Sequence, residues 1–369
     1  MAKNTNLGAA KAAKNDEFYT QYADIQKEIN AYLEYNPDTF RDKTVLLPCD
    51  DPEWSNFTKF FAQSFERLGL KRLISTSYAV ESKKYKHYEP SLFETESPHY
   101  DADKTRIKGK IFELTHDTNQ NGRIDIDDLE WHYLEGDGDF RSKEVCKLRD
   151  EADIIVTNPP FSLFKEFVSW IFEANKKCLI IGSQGAVGYK EVFPLIKNNR
   201  LWLGNGFSAG NAYFGLPKEF IPEYTSGVFD EKTGLVKFRN CCWLTNLEHG
   251  RRHEPLKLMT MKDNLRYGRH KDLVERGFYE RYYHYDYIDV PYTDAIPSDY
   301  EKEMGVPITY LDKHCPEQFD ILGISTFFAT VKPEGLPKSK QGGPQFYVLR
   351  DGEYVRMYNR IIIRKKQKE

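Results

Sequence analysis

The run Ala152-Asp153-Ile154-Ile155-Val156-Thr157 stops abruptly at Asn158-Pro159-Pro160-Phe161, and two adjacent prolines leave the backbone little choice there. Each proline fixes its own φ, removes a donor and pushes the residue before it into extended geometry. A buried strand must therefore end at Thr157. The Asn158 amide and the Pro159 carbonyl then stand as two rigid acceptors beyond a strand's carboxyl end, where open α/β sheets bind ligands. Two acceptors facing one point suit an exocyclic amine. By taking both of its hydrogens they draw the nitrogen out of conjugation and aim its lone pair at an electrophilic methyl group, that of S-adenosylmethionine. Phe161 supplies a flat face for the heterocycle. Asn158, Pro159, Pro160 and Phe161 are thus the expected catalytic segment of an amine methyltransferase that uses neither metal nor covalent intermediate.

At 369 residues the chain has room for two domains at the usual ~150 residues each. No apolar run approaches the ~20 residues of a membrane span, and the opening MAKNTNLGAAKAAKNDEFYT lacks the apolar core of a signal peptide. A cytoplasmic protein with no membrane partner is expected. Cys49, Cys146, Cys178, Cys241, Cys242 and Cys315 include no CxxC pair, which argues against a zinc cluster or a disulfide framework. The formal net charge is -3, yet cations gather at the ends. Lys3, Lys11 and Lys14 open the chain with no carboxylate among them, and Arg356, Arg360, Arg364, Lys365, Lys366 and Lys368 close it against Glu369. Lys11, Lys14, Arg364, Lys365 and Lys366 are candidate phosphate contacts; the other reading is a pair of solvated tails.

Thr44-Val45-Leu46-Leu47-Pro48-Cys49 reads as a strand, and Ser55-Asn56 opens a helical pattern with Phe57, Phe60, Phe61, Phe65 and Leu68 on one face. Further strands are expected at 72–77, 153–157 and 177–182, with helical stretches after the last two. Alternation of this kind implies a mostly parallel sheet. Cys241 to Thr245 is short and late, as expected of an antiparallel closing strand. Beyond about residue 250 the chain turns charged and tyrosine-rich, with Tyr279, Tyr282, Tyr283, Tyr285, Tyr287 and Tyr292 around Arg276 and Arg281. This segment reads as a separate recognition region, although alternating tyrosines are more often half-buried strand residues than base-stacking platforms.

No Gly-rich signature follows the first strand. Pro48, Asp50, Asp51, Ser55, Asn56 and Phe57 stand there instead: carboxylates able to bind the amino-acid part of the cofactor, and the first amides of a helix to take its carboxylate. A second loop, Gly136-Asp137-Gly138-Asp139-Phe140, offers Asp139 as an acceptor for an adenine amine and Phe140 as a stacking face. Capping and turn formation are the ordinary uses of such aspartates.

These segments, together with Asn15-Asp16-Glu17-Phe18-Tyr19-Thr20-Gln21, Trp243-Leu244-Thr245-Asn246-Leu247, MGVPITYLDK at 304–313 and EQFDILGI at 317–324, resemble the EcoRI-type adenine-specific DNA methyltransferase family over almost the whole chain. The resemblance implies methyl transfer from S-adenosylmethionine to the exocyclic nitrogen of an adenine flipped out of double-stranded DNA, within restriction-modification or host DNA methylation; whether a cognate restriction endonuclease is a further partner stays open. It also implies that Phe18, Tyr19 and Thr20 join the cofactor pocket. The expected fold is α/β: a Rossmann-like S-adenosylmethionine-dependent methyltransferase sheet with a C-terminal target recognition region. Residues 1–40 form an N-terminal segment for cofactor and DNA contact, 41–250 the methyltransferase domain with an insertion near 100–135, and 251–369 the recognition region. Amine methyltransferases acting on RNA guanine or protein glutamine share the Asn-Pro-Pro-aromatic segment and form the alternative class.

One constellation stands apart. Asp117, Asn119, Asn121, Arg123, Asp125 and Asp128 match the calcium-loop spacing, with Gly122 at the sixth position and the Arg123 carbonyl at the seventh. Position twelve carries Asp rather than Glu, and both flanks read as strands. The competing reading is a polar Asn-Gly turn joining two strands.

Overall fold

The structure, a computed structural model, describes residues 19–48, 50, 55–79, 95, 99–207, 211–215, 229–336 and 345–367. The chain divides into two units, Met1–Ala186 with Leu203–His249, and Val187–Trp202 with Gly250–Glu369. Strands of the first unit are, in chain order, β1 (Tyr19–Thr20), β2 (Thr44–Leu47), β3 (Arg72–Ser77), β4 (Lys110–Leu114), β5 (Glu130–Tyr133), β6 (Ile154–Thr157), β7 (Lys177–Ser183), β8 (Trp202–Leu203, at the division), β9 (Asn211–Gly215), β10 (Phe229–Asp230), β11 (Leu235–Arg239) and β12 (Cys241–Thr245). The main sheet runs β5-β4-β3-β2-β6-β7-β12-β8.

Its centre is parallel: β3, β2, β6 and β7 point the same way. Thr44–Leu47 and Ile154–Thr157 are buried at every position, the pattern of strands covered on both faces. β4 and β12 lie antiparallel on β3 and β7. Because β3 follows β2 on one side and β6 lies on the other, the strand order reverses between β2 and β6. That reversal opens a crevice at the carboxyl ends of those two strands.

Helix α1 (Tyr22–Tyr35) is followed by α2 (Asn56–Gln63), α3 (Phe65–Leu68), α4 (Ala102–Ile107), α5 (Lys143–Glu151) and α6 (Phe164–Glu173). The expected helix from Asn56 to Leu68 breaks at Ser64, and Gly69 closes its second piece in left-handed geometry (φ 65°). Both pieces still present Phe57, Phe60, Phe61, Phe65 and Leu68 to one core. A smaller antiparallel sheet, β1-β9-β11-β10, holds Tyr19 and Thr20.

The second unit contains helices α7 (Phe193–Lys197), α8 (Met261–Tyr267), α9 (Lys271–Arg276) and α10 (Ser325–Phe328). Its sheet, β13 (Ile288–Asp289), β14 (Met304–Pro307), β18 (Arg360–Lys365) and β15 (Phe319–Ile324), is accompanied by the hairpin of β16 (Tyr347–Arg350) and β17 (Glu353–Arg356). The aromatic-rich stretch is largely packing. Tyr279 and Tyr282 are buried; Tyr279 donates to the Ala295 carbonyl at 2.6 Å and Tyr282 to Asp289 at 2.6 Å. Asp289 also receives Arg360 at 2.7 Å, so that buried carboxylate is paired as its desolvation requires. Among the described residues no helix is long and apolar enough to cross a membrane.

Candidate functional site

The pairing of Val45 with Ile154 and of Leu46 with Ile155 brings the ends of β2 and β6 out side by side. Pro48 ends β2, and Asp50 lies just beyond it, 7 % exposed. A carboxylate buried that deeply needs donors. The Ser55 hydroxyl supplies one at 2.7 Å, and the Thr157 hydroxyl sits between the Asp50 carboxylate and the Pro48 carbonyl, 2.9 Å from the latter. Thr58 and Ser75 meet each other and the Asp50 carbonyl. Four hydroxyls from three elements thus fix one aspartate. Since Thr157 directly precedes Asn158, the same link holds the Asn-Pro-Pro-Phe segment against the end of β2.

Ser55 has a second duty as N-cap of α2, accepting the Phe57 amide at 3.1 Å. Asn56 donates to the Thr20 carbonyl at 2.7 Å, tying β1 to the start of that helix. Thr20 is 3 % exposed, and its hydroxyl oxygen is buried with no hydrogen-bond partner among the described residues. The structure therefore gathers Tyr19, Thr20, Pro48, Asp50, Ser55, Asn56 and Asn158 to Phe161 around one pair of strand ends. Phe57 departs from expectation: its side chain lies in the core edge-on to Trp243 and its amide is already capped. Phe18 and Asp51 lie outside the described residues.

Beyond Asn158, Pro160 is extended (φ -55°, ψ 119°) and its carbonyl accepts the Leu163 amide at 3.0 Å, starting a short turn into α6. The Asn158 side-chain oxygen is buried. Phe161, expected as an open stacking face, is 8 % exposed and belongs to the core.

The Gly136–Phe140 loop reaches the same edge of the sheet. Gly138 has φ 86°, and a Cβ there would stand 2.2 Å from the Ser77 carbonyl at the end of β3; only glycine permits that approach. The two side chains expected to serve a cofactor are engaged elsewhere. Arg141 grips Asp139 through Nη2 at 2.6 Å and Nε at 2.9 Å, and reaches Glu166 on α6 at 2.9 Å. Those bonds hold the Asp139 carboxyl below the usual carboxylate range, against the opposing effect of partial burial. Phe140 is fully buried, with ring centroids 5.0 Å from Phe167 and 5.5 Å from Trp170. The Phe140 ring is closed to a ligand in this arrangement, whereas the Asp139 side chain stays 24 % exposed.

The expected calcium loop finds no support. Its side-chain oxygens turn inward onto the loop's own donors: Asp128 accepts from Thr118, Asn119 and Asp125, Asp117 from Asn121 and Gly122, Asn119 from Asn121, Asn121 from Arg123, and Asp125 from Asp127. Asp128 is 1 % exposed. Among the described residues no three His, Cys, Asp or Glu side chains converge on a metal position. What forms is the polar connection between β4 and β5. Of the expected phosphate contacts, Arg364 faces Glu303 at 3.6 Å, Lys366 faces Asp320 at 3.5 Å, and Lys365 donates to the Ser298 carbonyl. Lys11 and Lys14 lie outside the described residues.

Thr157 is the residue that sequence reading missed. A threonine closing a buried strand looks like an ordinary β-former, and only the side-by-side exit of β2 and β6 reveals its partner 107 positions away.

The chain matches the family described as "Adenine-specific methyltransferase EcoRI" over residues 6–366. It is 40 % identical over 322 residues to the Type II methyltransferase M.EcoRI of Escherichia coli, covering 87 % of this chain and 89 % of that protein. It is 32 % identical over 365 residues to the Type II methyltransferase M.MpnI of Mycoplasma pneumoniae, covering 97 % of each. A third relative, the Type II methyltransferase M.MgeORF184P of Mycoplasma genitalium, is 31 % identical over 377 residues, covering 98 % of this chain and 99 % of that protein. No solved structure matches. With nearly its whole length covered in this way, the chain belongs to the EcoRI family of adenine-specific methyltransferases.

Proposed function

We propose that the chain methylates the exocyclic nitrogen of an adenine extruded from duplex DNA, at the crevice between the ends of β2 and β6. The observation that carries this reading is the joining of the Asn158–Phe161 segment to the Asp50 cluster through Thr157 at the point where the strand order reverses. The same strand order supports a Rossmann-like methyltransferase sheet. In this reading residues 1–40 and 41–250 serve cofactor and chemistry, and 251–369 read the target.

S-adenosylmethionine, when bound, supplies an electrophilic methyl group on a sulfonium. The residues fit it: a buried hydroxyl with an unused hydrogen at Thr20, an amide side chain beside it at Asn56, and a buried carboxylate at Asp50 would hold its polar parts. The Asn158 oxygen and the Pro159 carbonyl accept the two amine hydrogens and stabilise the positive charge that grows on nitrogen as the bond forms. Phe161 stacks on the base by turning part of its ring out of the core. A cognate restriction endonuclease belongs to the same proposal, tested by whether DNA methylated by this chain resists cleavage by a nuclease of the same source.

Tritiated methyl transfer to unmethylated duplex, followed by nucleoside analysis, tests the reading. Label in N6-methyladenine is expected. Label in guanine, in RNA or in protein glutamine would replace it with the alternative class.

A further inference from the structure

The stretch from Lys257 to Lys271 carries Lys257, Lys262, Arg266, Arg269 and Lys271 against a single carboxylate, Asp263. In the structure this is a helix pair: α8 capped by Thr260, a turn at Gly268 and Arg269, then α9. Gly268 makes the turn tight, since a Cβ there would stand 2.3 Å from the Asn264 carbonyl. Asp263 is occupied in the cap, bonded to the Thr260 hydroxyl at 2.7 Å. Lys257, Lys262, Arg266 and Lys271 are exposed and make no ion pair among the described residues. Arg266 instead lies 5.2 Å from the ring centroid of Tyr267, which is 65 % exposed.

Arg269 is held differently. Its Nε binds Asp294 at 2.6 Å while the side chain stays 74 % exposed, so the guanidinium is tethered and still accessible. Lys257, Tyr267 and Arg269 line one cleft of about 340 Å³ at the turn. Nearby carboxylates are already committed: Asp272 accepts the Tyr292 hydroxyl at 3.0 Å, and Asp299 accepts the Met261 amide at 2.7 Å. Glu275 stands on the later part of α9. Several exposed cations elsewhere in this unit are paired: Arg281 and Lys302 share Asp286, and Arg364 and Lys366 face Glu303 and Asp320; Lys190, Lys197 and Lys313 are exposed as well but stand apart in sequence.

Unneutralised cations packed into fifteen consecutive positions of a chain with net charge -3 raise its local potential, and phosphate is the complementary surface. Resting on the reading that the substrate is DNA, we infer that the α8–α9 helix pair, rather than the end of β18, is the principal phosphate-gripping surface for duplex DNA. Lys257 and Arg269 meet the backbone at the cleft, and Arg266 meets it from beside the ring of Tyr267, which supplies an apolar contact.

The test is anisotropy titration of a mixed-sequence 30-base-pair duplex over a range of salt. Combining Lys257→Ala, Arg266→Ala and Arg269→Ala should weaken binding on the order of tenfold or more and make the slope of log affinity against log salt shallower by roughly 2 to 3. The charge-keeping set Lys257→Arg, Arg266→Lys and Arg269→Lys should retain the slope, and calorimetric S-adenosylmethionine affinity should be unchanged in both sets. Arg364→Ala with Lys366→Ala should change the slope by less than about one. An unchanged slope in the alanine set, with wild-type DNA methylation intact, overturns the inference and leaves the proposed function standing. So does a larger change at Arg364 and Lys366. Tighter binding of single-stranded RNA than of duplex, with no label in adenine of DNA, overturns both.

Discussion

Asn158 and Thr157 are neighbours with separable duties. In the proposed reaction Asn158→Ala removes a preorganised acceptor at the point where charge develops, and should lower single-turnover methyl transfer by about 100- to 1000-fold while cofactor affinity, read by calorimetry, changes little. Thr157→Val leaves the buried Asp50 carboxylate short of one donor, which should cost about 1.5 to 3 kcal/mol of unfolding free energy in urea. Thr157→Ser should restore most of it. Equal stabilities for the valine and serine variants would remove the hydroxyl from the account. At this scale the Asn-Pro-Pro-Phe segment was legible because proline chemistry acts locally. Phe140 and Phe161 were not, because an aromatic in a loop looks the same in sequence whether its ring faces solvent or, as here, the core.

Elements carry a second layer of constraint. Gly138→Ala would place a methyl against the Ser77 carbonyl at a left-handed position, so melting should shift downward by the equivalent of roughly 1 to 3 kcal/mol; an unshifted melt would mean that the loop does not pack on β3. In the second unit, His314 accepts or donates a bond with the Tyr310 hydroxyl at 2.9 Å. Burial, reinforced by the charge of Arg252, pushes its pKa down to about 4 from the ordinary 6.5. The unfolded chain therefore binds that proton more readily than the folded one. Stability should be full above pH 6.5 and decline as pH falls toward 4, by at most about 1.4 kcal/mol per unit. His314→Gln should flatten that slope in denaturant titrations. The strands at 44–47, 72–77 and 154–157 were readable from apolar runs. The calcium spacing was misleading because Asx turns and calcium loops demand the same residues: short oxygen side chains that satisfy backbone amides.

At the scale of the molecule, the candidate site is assembled from segments that sequence keeps apart: β1, the end of β2, the start of α2 and the end of β6. The types of β2, α2 and β6 were predictable, and so was the site's place at strand ends; β1, a two-residue strand, carries no pattern to read. Their mutual bonds were not, since Asp50 and Thr157 meet only because β6 enters the sheet on the far side of β2 from β3. The joining of these two strand ends is the central claim, and it makes adenine methylation depend on Asn158. Single-molecule sequencing of DNA from a methylation-free host expressing the wild-type chain or Asn158→Ala tests it most directly. The wild type should mark adenine at N6 within one recurrent sequence, and Asn158→Ala, expressed to the same level, should leave that sequence unmarked. Wild-type DNA without modified adenine, or equal marking by both proteins, would contradict it.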